Sequence, residues 1–221
     1  MAITASASSS VVVGWTMPVA FPTSPIPAGA SYTPPGPNGV GVADQGSNIV
    51  GSQIRSVHAS ASSLYTSSAG NGSLYSFSSN IWQPGDFYEV SFSTTGISES
   101  MVLSWDQARS GTGPALFRVA ISVNGGTFSD LFNYAVLQSG GTGAPGTWSS
   151  TTYNPLYTNT LDLGTLASNA SSVVIRFVNS ESVASVTTGS NRIDNVFVSV
   201  PAPGAVVLFG ITGLAVGRRR R

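Results

Sequence analysis

Apolar and polar residues alternate along much of the chain between Gln53 and Val200. Tyr88, Val90 and Phe92 alternate with Glu89, Ser91 and Ser93, and Met101, Leu103 and Trp105 with Val102, Ser104 and Asp106. Phe117, Val119, Ile121 and Val123 alternate with Arg118, Ala120 and Ser122, and Val173, Ile175 and Phe177 with Val174, Arg176 and Val178. Side chains on a strand point to opposite faces in turn, so this period of two predicts strands with one buried face. Turn sequences separate the runs: Pro84-Gly85-Asp86, Gly111-Thr112-Gly113-Pro114 and Asn124-Gly125-Gly126. About ten short strands spaced in this way predict an all-β fold, two packed antiparallel sheets forming a jelly-roll-like β-sandwich. Residues 11–200 contain no amphipathic pattern long enough for a three-turn helix.

The flanks differ. Val11 to Trp15 reads as a short strand, and residues 18–37 carry seven of the thirteen prolines. Proline removes a ladder donor, so that stretch is expected to be an extended loop outside the sheet interior. Residues 1–10 (MAITASASSS) are small and polar. They read either as a disordered terminus or as the remnant of a signal-peptide cleavage region, since Ala5-Ser6-Ala7 has the small-x-small form of a cleavage site. At the other end, residues 201–221 follow the sandwich as a tail. A proline-bracketed turn, Val200-Pro201-Ala202-Pro203, leads into an apolar run from Ala205 to Gly217 and then Arg218, Arg219, Arg220 and Arg221. The run predicts a short helix of about 20 Å, less than the roughly 30 Å hydrocarbon core. Basic residues prefer the cytoplasmic side of a membrane, so the arginines would stay inside and the body outside.

Charge sharpens the division. Only 8% of residues are charged, lysine is absent, and four of the nine cations are the terminal arginines. The body therefore sets five arginines against nine acids. An acidic body lacks the basic surface that neutralises phosphates, which excludes nucleic acid as a partner. With no cysteine there is no disulfide, thiolate metal site or thiol nucleophile.

The order of motif, apolar helix and arginine cluster in the tail resembles the PEP-CTERM sorting signal of bacteria with exosortase systems. Ala202 stands where that family normally has Glu. The resemblance implies export, transient residence in the inner membrane, an exosortase-type membrane protease as partner, and a final place at the cell surface or outside the cell. The body, through AGNGSLYSFSSNIWQPGDFYEVSFSTTG, LSWDQARSGTGPALFRVAISVNGG and NRIDNVFVSV, resembles the jelly-roll domains often joined to such tails.

Candidate chemistry is sparse. His58 is the single histidine, and no GxSxG elbow surrounds any serine, so a structural role is expected for it. The pairs Asp86 with Glu89 and Asp106 with Asp130 are the candidate carboxylates for glycosidic cleavage; a solvated face accounts equally for the first pair. Gly141 to Gly146 matches GxGxxG, but no helix pattern follows, which leaves a loop. Asn71-Gly72-Ser73 and Asn169-Ala170-Ser171 read as turns. Trp105 shares the apolar face of Met101 and Leu103 and belongs to the core, whereas Trp148, Tyr153 and Tyr157 surround a glycine-rich loop and are candidates for a sugar-stacking platform. In Arg192-Ile193-Asp194-Asn195-Val196, strict alternation puts Asp194 on one face with Val196, Val198 and Val200. The stretch is similar to the terminal strand of carbohydrate-binding jelly rolls, a resemblance that implies a structural calcium on Asp194 completed by backbone carbonyls. A salt bridge to Arg176 or Arg192, or hydrogen bonds from turn amides, would serve Asp194 as well. No other cofactor is indicated. The expected function is that of a non-catalytic surface or extracellular-matrix protein sorted through its tail. The alternative is a carbohydrate-binding module for exopolysaccharide, and a secreted hydrolase comes third.

Overall fold

The computed structural model describes residues 9–142 and 144–202. Twelve strands form two antiparallel sheets. The first contains β10 (Thr158–Gly164), β7 (Met101–Arg109), β12 (Ser190–Val200), β5 (Ser76–Asn80) and β4 (Tyr65–Ser68) in that order, and β1 (Ser10–Trp15) pairs with the second half of β12. The second has the order β2 (Ser31–Tyr32), β3 (Gln53–Val57), β6 (Phe87–Phe92), β11 (Val173–Asn179), β8 (Leu116–Val123) and β9 (Ser129–Ala135). From β5 to β8, and again from β9 to β12, successive strands alternate between the sheets, so their connections close over the ends of the core. The alternating runs read from the sequence are β6, β7, β8 and β11.

The proline-rich stretch touches the sheets only at edges, where a missing donor is tolerated: through the two-residue strand β2, and through a bridge of Ala28 to Leu64 beside β4. Phe21 within it turns inward and packs on Tyr32 and Phe77. Among the described residues helix is confined to one 3-10 turn, Pro155–Tyr157, capped by the side chain of Asn154. Among the described residues no helix is long and apolar enough to cross a membrane. The expected tail helix, Pro203 and Arg218 to Arg221 lie outside the described residues.

The apolar face of the first sheet (Phe77, Met101, Leu103, Trp105, Ile193, Val196, Val198) meets that of the second (Ile54, Tyr88, Val90, Phe117, Val119, Ile175, Phe177). Trp105 stands at the centre, its ring 5.1 Å from both Tyr134 and Phe177. Each large side chain so buried contributes roughly 1.5–3 kcal/mol. Polar groups that enter this core are paired across it: the Tyr134 hydroxyl donates to Gln107 Oε1 (2.6 Å), whose amide donates to Asn191 Oδ1 (2.8 Å).

One irregularity decides what faces outward. Between Asp194 and Phe197 the register of β12 against β7 slips, and Asn195 has φ = 46°. Asparagine tolerates this left-handed conformation better than most residues, and a bulge there shifts the phase of alternation. Ile193 and Val196 therefore both enter the core, and Asp194, paired with Asp106, projects from the opposite face. Strict alternation had put Asp194 with Val196 and Val198; the bulge corrects that expectation.

Candidate functional site

The outer face of the β10–β7–β12–β5–β4 sheet is partly roofed by two loops, residues 69–75 and 136–157. They are tied together where Trp148 Nε1 donates to the Ala69 carbonyl (2.7 Å) and the Gly72 amide to Ser149 O (2.8 Å). Gly72 has φ = 74°, and a Cβ there would lie 2.8 Å from Tyr153 Cβ, so only glycine lets the loops approach this closely.

Asn71 is the hub beneath them. Its side chain donates to Asp106 Oδ2 (3.0 Å) and to Asn154 O (3.0 Å), and accepts from the Asn154 amide (2.9 Å). Asp106, 1% exposed, accepts further bonds from Thr158 Oγ1 on Oδ1 (2.5 Å) and Asn195 Nδ2 on Oδ2 (2.8 Å). Burial raises its pKa, and these three side-chain donors pull it part of the way back. Asp194 is fully buried, covered by the 69–75 loop. Its Oδ2 accepts from the Asn71 amide (2.8 Å) and the Ser73 hydroxyl, while Oδ1 has no hydrogen-bond partner. Loss of water pushes its pKa up to about 7, against the hydrogen bonds of Ser73 and Asn71 and with a smaller push from Asp106. The alternative of turn donors is thus the arrangement found around Asp194.

Calcium requires six to eight oxygen ligands. The neighbours of Asp194 Oδ2 are an N–H and an O–H, and Asp106 is turned to three hydrogen donors. Among the described residues no three acidic or histidine side chains gather.

Beside this cluster lies an open groove of about 380 Å³, floored by Asn71, Ser104, Asp106 and Asn195 and walled by Tyr153 and Phe197. Tyr153 is 54% exposed, and its hydroxyl is held 2.7 Å from Thr158 Oγ1. The other two platform candidates sit differently. Tyr157 is buried, donating its hydroxyl to Gly146 O (2.7 Å), and half-buried Trp148 stands edge-on to it at 81°. The three rings do not make one coplanar exposed surface.

The hydrolytic candidates resolve as follows. His58 Nδ1 lies 3.0 Å from Asp86 Oδ2, and its Nε2 lies 2.9 Å from Ser56 Oγ and 3.1 Å from Ser79 Oγ. That is the residue set of a catalytic triad, but all four side chains are at most 3% exposed, sealed between the sheets against Tyr65 and Trp82. Asp86 also accepts from the amides of Ala59 and Gln83. Neither Asp86 nor Glu89 lies on a solvated face, as the alternation had suggested. Glu89 is clamped at 2.7 Å by Arg55 and by Arg176. Asp130 pairs with Arg118 in the other sheet, far in register from Asp106, so neither carboxylate pair assembles. Of the residues expected to form a sorting motif, Val200 ends β12 opposite Ser10, and Pro201 and Ala202 follow it half-buried.

Sequence reasoning singled out none of Asn71, Asn154, Thr158 and Asn195 as functional. Asn71-Gly72 carries a turn signal, but its bonds to Asp106 and Asp194 span 35 and 123 residues, which no local pattern encodes.

No family model matches the chain, and no curated protein matches it. Among solved structures, the chain is similar to TmCBM61 in complex with β-1,4-galactotriose (TM-score 0.38, 9% identity, 68% of this chain and 89% of that one). It is similar also to the CBM22-1 xylan-binding domain of Paenibacillus barcinonensis Xyn10C (0.42, 11%, 90% and 99%). A third is a cleaved adhesin domain of Lys-gingipain from Porphyromonas gingivalis (0.38, 14%, 84% and 96%). At these scores and identities the likenesses carry no argument about function.

Proposed function

We propose that this chain is an exported, non-catalytic saccharide-binding protein that holds its ligand, an exopolysaccharide, in the groove beside Tyr153. Its tail from Val200 to Arg221 would direct sorting through the inner membrane to an exosortase-type protease, leaving the sandwich at the surface or in the matrix.

The observation that carries the binding reading is an exposed, hydroxyl-anchored aromatic ring at the lip of a groove whose polar groups are already fixed. A sugar offers an apolar C–H face edged by hydroxyls that donate and accept. The Tyr153 ring suits the face. Ser104 and Asn195, partly exposed on the groove floor, suit the edge, and the buried Asp106 carboxylate accepts from Asn195 beneath them. Asn71 and Asn195 hold that carboxylate in place, which lowers the ordering cost of binding. The groove is open to solvent, as suits a chain molecule better than an engulfed small ligand. The non-catalytic part of the proposal rests on the sealing of His58, Asp86 and Ser79 in the core.

The test is a panel of neutral and acidic polysaccharides offered to the full-length protein and to Tyr153→Ala. Binding should weaken about tenfold or more in the variant, in line with loss of an aromatic anchor, with thermal stability unchanged and no new reducing ends on the bound chains. Unaltered binding by the variant would remove the groove, and steady release of reducing ends would make the protein a hydrolase.

A further inference from the structure

The five arginines of the sandwich differ in one respect. Arg55 and Arg176 clamp Glu89, Arg118 pairs with Asp130, and Arg109 donates to the carbonyls of Val136, Ser110 and Gly111. Arg192 alone has neither an acidic partner nor a side-chain hydrogen bond among the described residues, and its Nε is buried without an acceptor. It projects from the same outer face as Asp106, opposite Ala108 and Ser78, which offer it no charge. Burial lowers its pKa from the ordinary value, yet arginine remains a cation. A buried guanidinium edge without an acceptor is costly and therefore uncommon.

The space beside it is open. Arg192 and Trp148 line a depression of about 300 Å³ with Ser139, Gly140, Gly146 and Thr147. The guanidinium carbon lies 5.8 Å from the Trp148 ring centroid, at the outer limit of a cation–π contact, so the ring does not replace an anion. Small residues on the remaining walls leave room for a ring-sized group. Along β12, Arg192 is three residues from Asn195 in the Tyr153 groove, a separation of about 10 Å at strand spacing. Both depressions open on one sheet face, flanking the Trp148 loop.

From this geometry we infer a second subsite, at Arg192 and Trp148, for the carboxylate of a uronic-acid residue in the bound saccharide. The guanidinium takes the carboxylate as a charge-assisted partner and the indole packs against the sugar ring. In a sandwich with more acids than arginines, the unpaired Arg192 attracts an anionic group at that point while the surrounding acids repel it elsewhere. The inference rests on the saccharide reading of the Tyr153 groove and adds its ligand class.

The experiment titrates full-length protein with oligogalacturonate and with its methyl ester, which has the same backbone without the charge. Calorimetry gives affinity, and intrinsic fluorescence reports on Trp148, since Trp15, Trp82 and Trp105 are at most 2% exposed. The acid should bind at least tenfold more tightly than the ester, and the gap should shrink in 0.5 M salt, as expected of screened charges. In Arg192→Gln the gap should close, mainly through loss of acid affinity, and Arg192→Lys should keep part of it. Equal wild-type affinity for acid and ester overturns the subsite while leaving the groove intact, a measurement that needs no variant to fold. Equal competition by polyglutamate would overturn the saccharide assignment of the Arg192 pocket. Binding of neither probe, nor of any member of the polysaccharide panel, would overturn the groove and the subsite together.

Discussion

Replacing Asp194 with Asn should stabilise the protein at pH 8 and leave it nearly unchanged at pH 5. Asp194 is 0% exposed, and burial raises its pKa from 3.8 to about 7. A folded-state pKa above the unfolded value means that the native protein binds more protons between about pH 4 and pH 7, so stability falls as pH rises through that window. A shift of about three units corresponds to at most about 4 kcal/mol, fully expressed above pH 7. In the variant, the amide oxygen accepts from the Asn71 amide and the Ser73 hydroxyl as the carboxylate does. The amide nitrogen takes the place of Oδ1, which has no partner, and an unmatched donor costs about 1–2 kcal/mol. The balance at pH 8 is a gain of about 2–3 kcal/mol, or roughly 5–10 °C in Tm for a chain of this size. At pH 5, where wild-type Asp194 is protonated, the two proteins should agree to within about 1 kcal/mol. The assay is thermal denaturation of both proteins from pH 5 to pH 8, because their difference isolates this carboxyl from every other titrating group. A variant less stable than wild type at pH 8 would refute the reasoning. So would a rise in wild-type Tm with added calcium at pH 8 that Asp194→Asn lacks, since the ionised carboxylate would then be a metal ligand.

Asn71→Ala should cost about 1–3 kcal/mol, because it leaves the part-buried amide and carbonyl of Asn154 without partners and withdraws one donor from the buried Asp106; a urea midpoint within error of wild type would show that the hub holds nothing together. For the tail, intact mass of the protein from its native host should be short by the apolar run and Arg218 to Arg221, in the surface or medium fraction and only when the sorting protease is present; a full-length cytosolic chain would overturn export.

The sequence by itself determined the class of fold, because period-two alternation follows from strand geometry and is written locally. The runs around Tyr88, Leu103, Val119 and Ile175 became central strands, with Trp105 in the core as its neighbours required. Proline density likewise kept residues 18–37 out of the sheet interior except at an edge. What alternation could not carry was phase. One left-handed residue, Asn195, reversed the facing of Asp194 relative to Val196, and nothing in the local composition announces a bulge. Polar partnership was equally out of reach. His58 meets Asp86 and Ser79, and Glu89 meets two arginines, only because separate strands lie side by side. Exposure of the loop aromatics depended on how the 136–157 loop folds back: it buries Tyr157, half-covers Trp148 and leaves Tyr153 in solvent. Local sequence sets which faces are apolar, whereas burial, pairing and the lack of a partner for Arg192 among the described residues are properties of contacts between distant segments, and only the tertiary structure decided them.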